Sequence, residues 1–346
     1  MKSKSIAVVF SMIMILVLAV GSIGATQSDT PAPSSQSSGQ IYLYGEMHGV
    51  DKILDKEFKL WYDYYHNQNM RHLFLELPYY TAEFLNIWMQ SDSDDILNNL
   101  YFDWANTAGC NPEHKEFFKK IKIHCPETIF HGTDVGHQYN TTGVRFLKYL
   151  RSNNLEDSEQ YLIAKEVIEQ GKKYHFDKDH VYRENMMVKN FIREFDKLKG
   201  ESIMGIYGAA HTGLEAMNHT NSVPCMANQL KERYGDAIHS VDLRVDIIQV
   251  GGKEYKAMYF GKQELTRFED YAYREFWRLE NAYEDFEDRP KTGNILPYNN
   301  YPMLIETGQV FVIDYIKEDG SVIRKYFRSD GLVWENLPCT EEFIVE

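Results

Sequence analysis

The sequence predicts an α/β fold, a central and largely parallel β-sheet flanked by helices, with a C-terminal helix and β-hairpin extension. Three observations predict it. Short apolar runs alternate with longer amphipathic stretches from residue 40 to about residue 250, the rhythm of strands joined by crossover helices. The pattern Gly-x-x-His occurs twice, as Gly45-Glu46-Met47-His48 and Gly208-Ala209-Ala210-His211, each time directly after an apolar run. A chain of 346 residues that is 43% hydrophobic is long and apolar enough to bury such a sheet on both faces.

Taken in chain order, the first segment reads as an export signal. Lys2 and Lys4 give a positive start, Ile6 to Val20 is apolar, and Gly21 to Ala25 is rich in small residues, with cleavage expected after Ala25. An uncleaved anchor is the alternative and would be the chain's one link to a membrane. The protein is therefore expected outside the cytoplasm: secreted, periplasmic or at the cell surface. No cysteine marks a lipoprotein site there. Residues 26–39, rich in Ser, Gln and Pro, read as a flexible tether. The α/β domain is expected over 40–250 and the extension over 251–346.

Within the domain the expected strands are Ile41–Tyr44, His72–Leu77, Thr128–Gly132, Ser202–Tyr207 and Ile238–Leu243. Between them, Phe58, Trp61, Tyr62 and Tyr65 recur at helical spacing. Tyr79–Met89 reads as a helix with Thr81 as a cap after Pro78. Residues 144–170 hold further helix. Asp179–Leu198 carries Met187, Val188, Phe191, Ile192 and Phe195 on one side, as a helix packed on a sheet does. In the extension, Leu265, Phe268, Ala272, Phe276, Leu279, Tyr283 and Phe286 suggest an acidic, aromatic helix. Gln309–Ile316 and Ser321–Phe327 flank Lys317-Glu318-Asp319-Gly320 as a hairpin.

The charge of −14 disfavours nucleic acid as a partner, because phosphate binding needs a basic footprint. Cys110, Cys125, Cys225 and Cys339 allow one or two disulfides, with Cys110–Cys125 closing a short loop; four isolated thiols fit equally. No C-x-x-C pair suggests structural zinc. Nothing in the sequence sets an oligomeric state.

Ligands of open α/β sheets bind beyond the carboxyl ends of the strands. Four such ends carry chemistry here: Glu46 and His48 after the first strand, Glu76 after the second, Asp134 after the third and His211 after the fourth. Gly45 and Gly208 are expected to turn the backbone sharply at dihedrals other residues resist, and Gly49 and Gly213 to keep the turns open. Arg183, Met187 and Asn190 share a helix face, so Arg183 can reach a carboxylate or an anionic intermediate. Asp134, Tyr79, His137 and Asn190 are candidate substrate contacts. His131 reads as a packed residue, and His66, His114 and His219 as surface or packing residues. A G-x-S-x-G elbow, a P-loop, an H-E-x-x-H helix and a dinucleotide fingerprint are all absent, which disfavours a serine triad, an NTPase and a nicotinamide enzyme.

The ordered set Gly45-Glu46-Met47-His48-Gly49, Leu75-Glu76, Gly132-Thr133-Asp134, Arg183-Glu184-Asn185-Met186 and Gly208-Ala209-Ala210-His211 resembles the superfamily of erythromycin esterases, ChaN-like haem-uptake lipoproteins and TraB/Tiki proteins. The resemblance covers residues 40 to 215. It implies an α/β fold with the site at the strand ends. Its esterase branch implies hydrolysis by a histidine-activated water assisted by glutamate and arginine, its Tiki branch a metal-dependent protease, and its ChaN branch haem binding. The esterase pattern usually has one more residue between Glu and His than Glu46-Met47-His48, so the spacing here is nearer the other two branches.

The expected function is hydrolysis of an ester or amide bond in a small-molecule or peptide substrate. His48 would be a general base poised near neutral pKa, Glu76 would orient it, Glu46 would be a further acid beside it, and Arg183 with His211 would stabilise the oxyanion. A metal-dependent variant places Zn, Mn or Co on His48, His211 and Glu76. The alternative from a different class is a binding protein for haem or another small ligand, with the 24 tyrosines offering haem ligands.

Overall fold

The computed structural model describes residues 39–107, 109–265 and 270–345. The export signal, nearly all of the tether and Phe268 lie outside the described residues. Among the described residues no helix is long and apolar enough to cross a membrane.

The five expected strands form one parallel sheet. They are β1 (Ile41–Glu46), β2 (His72–Pro78), β3 (Ile129–Asp134), β4 (Ile203–Gly208) and β5 (Ile238–Asp242), in the order β3-β2-β4-β1-β5. β4 inserts between β2 and β1 and is buried along its whole length, as a central strand covered on both faces must be. β5, at the edge, alternates buried and open positions. The side-chain period of two sorts the strand residues between two cores. Tyr44, Leu73, Leu75, Met204 and Ile206 face one cluster, and Leu43, Phe74, Ile203 and Tyr207 face the other.

Helices form on the stretches whose spacing predicts them, and three further helices, at 95–103, 112–124 and 226–234, are not expected from the sequence. They are α1 (Asp51–Asn67), α2 (Tyr79–Met89), α3 (Asp95–Asp103), α4 (Pro112–His124), α5 (Val144–Ser152), α6 (Glu159–Asp177), α7 (His180–Phe195) and α8 (Met226–Tyr234). α7 and α8 cover one face of the sheet through Met187, Phe191, Met226 and Leu230. α1, α2, α4 and α6 supply most of the larger core on the other face. Asp179 caps α7 by accepting from the Tyr182 N–H at 3.0 Å. Thr81 is not the cap of α2: Pro78 holds that position in extended backbone, and the Thr81 hydroxyl is buried with no partner.

The C-terminal part departs from expectation. The stripe from Leu265 to Phe286 is not a helix. β8 (Tyr271–Leu279), within it, pairs antiparallel with β7 (Lys253–Glu264) ahead of it, and among its described residues only α9 (Tyr283–Phe286) is helical. β8 is covered on both faces, Phe276 joining one core and Trp277 and Leu279 another. A strand apolar on both faces hides its alternation, and its aromatic spacing then imitates a helix. The aromatic residues themselves favour strands. The second sheet runs β12-β13-β11-β10-β8-β7-β6, with β9 (Lys291–Pro297) beside β13. It contains β6 (Val245–Val250), β12 (Val333–Trp334) and β13 (Leu337–Phe343), and so begins ahead of the boundary expected at residue 251. The expected hairpin is β10 (Gln309–Lys317) and β11 (Val322–Ser329), turning at Gly320 with φ 83°. α1 ties the two sheets, with Lys52 2.8 Å from Glu275 and lying over the Trp277 ring.

All four cysteines are free, so the Cys110–Cys125 disulfide does not form. The Cys110, Cys225 and Cys339 thiols donate instead to the Tyr101, Gly213 and Leu332 carbonyls.

Trp61 is fully buried on α1 and donates from Nε1 to the Thr128 hydroxyl at 3.0 Å, fastening that helix to the entry of β3. Trp61→Ala is expected to cost about 3–5 kcal/mol in urea unfolding. A loss under about 1 kcal/mol would show that the helix is held by other contacts.

Candidate active site

Arg183, in the first turn of α7, reaches the ends of two strands at once. Its Nε and Nη2 donate to the two Asp134 oxygens at 3.0 and 2.6 Å, and Nη2 also donates to Glu76 Oε1 at 2.5 Å. Asp134 is fully buried and would be costly as a lone charge. Burial pushes its pKa up, but Arg183 and then His137 outweigh this and hold it well below the usual carboxylate range. Glu76 follows the same logic: burial opposes its charge, while His211, Arg183 and His48 lower its pKa to about 2. Asn190, two turns further along α7, donates to the Asp134 carbonyl and exchanges hydrogen bonds with Gln170 on α6. It is buried and fixes the helix against β3, and it does not line the cavity.

β4 contributes through its backbone. The Gly208 N–H donates to Glu76 Oε2 at 2.6 Å. The two strand-end glycines are not in left-handed backbone; the positive φ of the first motif falls on Gly49, at 69°. Gly208 is needed for close approach: a Cβ there would stand 3.1 Å from His48 Nε2 and 3.2 Å from Glu76 Oε2. At Gly45 a Cβ would meet the Thr212 hydroxyl at 2.6 Å. A side chain at Gly45 would force Thr212 to shift, and one at Gly208 would push His48 and Glu76 by a few tenths of an ångström.

The two motif histidines take different places. His48 is half exposed and lines the cavity. Its Nδ1 is 2.8 Å from Glu46 Oε1, and its Nε2 faces Glu76 Oε1 at 3.9 Å. The Glu46 hydrogen bond, against some desolvation, raises the His48 pKa to about 9. The expectation of a near-neutral base is thereby corrected: at pH 7 the resting imidazole is charged. His211 is buried behind Glu76 and Arg183 and is not on the cavity wall, so it does not face an oxyanion as expected. Its Nε2 is 3.5 Å from Glu76 Oε1 and from Arg183 Nη1, and its Nδ1 is 2.5 Å from Glu184 Oε1. Burial lowers its pKa, and Glu76 and Glu184 more than reverse that. Glu184 Oε2 also accepts from the Met226 N–H at the start of α8.

Glu46, His48, Glu76, Asp134 and Arg183 line a cavity of about 260 Å³, just below the ~300–1,000 Å³ typical of small-molecule sites. The apolar lining is Trp104, Phe117, Phe118, Leu77 and Ile206. His137 is on the rim, 2.9 Å from Asp134. Tyr79 and Tyr80 are not part of it. Tyr79 packs against Phe146, and the Tyr80 hydroxyl donates to the His137 carbonyl from a fully buried position. His114, expected at the surface or in packing, lines the cavity with Nδ1 on the Gly109 carbonyl and its ring stacked on Trp104. His131 stacks on Phe74 as expected of a packed residue. Reasoning from sequence also missed Glu57 and Glu184, discussed below.

The proposed metal ligands do not fit a cation. Both histidines approach Glu76 Oε1, but the Arg183 guanidinium already holds that oxygen. A dication would share its ligands with a buried positive charge. Among the described residues no group of three His, Cys, Asp or Glu is arranged to hold a metal. No described residue lining the cavity is a tyrosine, so tyrosine ligation of haem has no counterpart there.

No family model and no curated protein matches the sequence. Solved structures similar to this chain include an erythromycin esterase variant in its open conformation, at 12% identity and TM-score 0.44, covering 61% of this chain and 71% of that one. A Bacillus cereus protein is similar at 13% identity and TM-score 0.44, covering 88% and 85%. The haem-binding ChaN of Campylobacter jejuni is similar at 13% identity and TM-score 0.32, covering 59% and 81%.

Glu76 gives a signed test of that geometry. Its pKa is depressed, so its contribution to stability is present above the unfolded value near 4.5 and lost as pH falls towards about 2. Glu76→Gln is expected to be less stable than wild type at pH 7, with the gap in Tm closing between pH 4.5 and 2. A gap that stays constant over that range would mean the Glu76 charge is not paired as described.

Proposed function

We propose that the cavity is the active site of a hydrolase acting on an ester or amide bond of a small molecule. The observation that carries this reading is the Glu46–His48 pair. One carboxylate fixes Nδ1, and Nε2 is left facing a cavity beside a guanidinium, the arrangement of an oriented general base. In the reaction, neutral His48 takes a proton at Nε2 from the water that attacks the carbonyl carbon. The negative charge that develops on the carbonyl oxygen is met by the Arg183 guanidinium, which lines the cavity. Collapse of the tetrahedral intermediate expels the alcohol or amine, which recovers the proton from His48. Glu76 and Asp134 hold Arg183 in place, and His211 with Glu184 braces Glu76 from behind. These last two are positioning residues.

His48→Ala is expected to lower kcat on para-nitrophenyl esters by roughly 10²–10⁴-fold, with the unfolding midpoint little changed because the side chain is half exposed. Retained turnover in a folded His48→Ala protein would refute the assignment.

The base must be neutral to act, and its resting pKa is about 9, so activity should rise with pH, be half-maximal near 9 and level off above it. Glu46→Gln removes the largest cause of that elevation. The rising limb should then move to lower pH, with a lower plateau because the ring is less well oriented. A pH–rate profile unchanged by Glu46→Gln would exclude the pair as the catalytic unit.

A further inference from the structure

The cavity lining includes an imidazole that the reaction above does not use, that of His114. The start of α4 places it. Asn111 caps that helix, its Oδ1 accepting from the His114 N–H at 2.6 Å, while its Nδ2 donates to the Gly49 carbonyl at 2.9 Å. One side chain thus ties His114 to the turn that follows His48, and Glu46 and His48 are the charged groups that act on its ring. The two ring nitrogens are distinct. Nδ1 lies 2.9 Å from the Gly109 carbonyl, which can only accept, so Nδ1 carries a hydrogen and donates it. Nε2 has no partner among the described residues and is not closed off from solvent, in a partly exposed residue on the cavity lining. Trp104 and Phe117 stack against the ring at interplanar angles of 20° and 21°, and no carboxylate hydrogen-bonds it. A positive charge there would have no partner, and burial holds its pKa down, so Nε2 keeps its lone pair.

Resting on the hydrolase reading, we propose that His114 Nε2 is a specificity-determining acceptor for a hydroxyl or N–H group on the acyl portion of the substrate. The rings that share the lining with it, Trp104, Phe117 and Phe118, suit a flat and largely apolar acyl group, since aromatic rings pack well on one another. The substrate class is then an ester or amide of an aromatic acid that carries a hydrogen-bond donor on its ring. A site built to pair with a substrate donor rejects the analogue lacking it, because its own acceptor is left without a partner.

The test compares para-nitrophenyl benzoate with its 3-hydroxy, 4-hydroxy, 3-methoxy and 4-methoxy analogues, using wild type, His114→Phe and His114→Gln. A methoxy group keeps the oxygen but has no hydrogen to give. Wild type is expected to favour a hydroxylated ester over its methoxy partner and over the plain benzoate, on the order of ten-fold in kcat/KM. His114→Phe keeps a ring among Trp104 and Phe117 but no acceptor, so it should lose the preference. His114→Gln can set an amide oxygen near the Nε2 position and should retain part of it. The preference persisting in a folded His114→Phe protein, or absent from wild type, would overturn the proposal. Binding of the corresponding primary benzamides to His48→Ala protein, read by thermal shift, separates this inference from the reading it rests on. A hydroxyl-dependent shift that adding His114→Phe abolishes supports the acceptor even if hydrolysis fails. Equal shifts for hydroxy and methoxy amides overturn it even if hydrolysis stands.

Discussion

The site depends on one guanidinium. Arg183 binds Asp134 through two parallel hydrogen bonds and Glu76 through a third, and so ties the ends of β3 and β2 to the first turn of α7. Three charges taken out of water are tolerable only because each faces an opposite one at hydrogen-bond distance; breaking such a pair typically costs about 3–5 kcal/mol. The same contacts explain the choice of arginine: its fork spans two carboxylates in a way the lysine point charge cannot. Everything else in the cleft is placed relative to this group. Glu76, fixed on one side by Arg183, takes the Gly208 N–H on the other and so locks β4 into register with β2. The absence of side chains at Gly208 and Gly45 lets the two motifs meet.

The two Gly-x-x-His motifs, alike in sequence, are unlike in use. His48 leaves β1 into a left-handed turn at Gly49 and stays in the cavity with one nitrogen free. His211 sits in a short 3₁₀ turn after β4, buried with Glu76 at one nitrogen and Glu184 at the other. Exposure decides the difference. A ring enclosed by two carboxylates and a guanidinium serves the electrostatics of its neighbours, whereas a ring held by a single carboxylate at a cavity wall is free to exchange a proton. The cost of that single hold is a pKa raised to about 9, which in the proposed hydrolysis places activity in the alkaline range.

Much of this was legible in the sequence, for physical reasons. The inner strands, buried on both faces, are continuous apolar runs and so showed themselves, the edge strand β5 showed by its alternation, and each strand-end polar residue followed from where its run stopped. Arg183 and Asn190 shared a face by helical spacing, and both do reach Asp134. Glu184 did not show itself, because its neighbour Arg183 drew the face of α7 that was considered, while consecutive helix residues point about 100° apart and Glu184 turns to α8 and His211. Glu57 lies in the middle of an amphipathic helix, where a carboxylate reads as solvated; only the packing of α1 over the strand ends buries it. His114 belongs to a helix whose placement no local pattern fixes. The glycines were read as dihedral devices when their role is close approach, and β8 as a helix because both of its faces are covered. In each case the missing information was the position of one element over another.

The central claim, that Arg183 holds the strand ends through its paired carboxylates, is tested most directly by a double-mutant cycle of Arg183→Met and Asp134→Asn measured by urea unfolding at pH 7. The structure predicts a coupling free energy of roughly 1.5–3 kcal/mol, since each single substitution strands a buried charge and the double substitution strands less. Additive losses, with a coupling within about 0.3 kcal/mol of zero, would mean that the two groups do not meet and that the site as described does not exist.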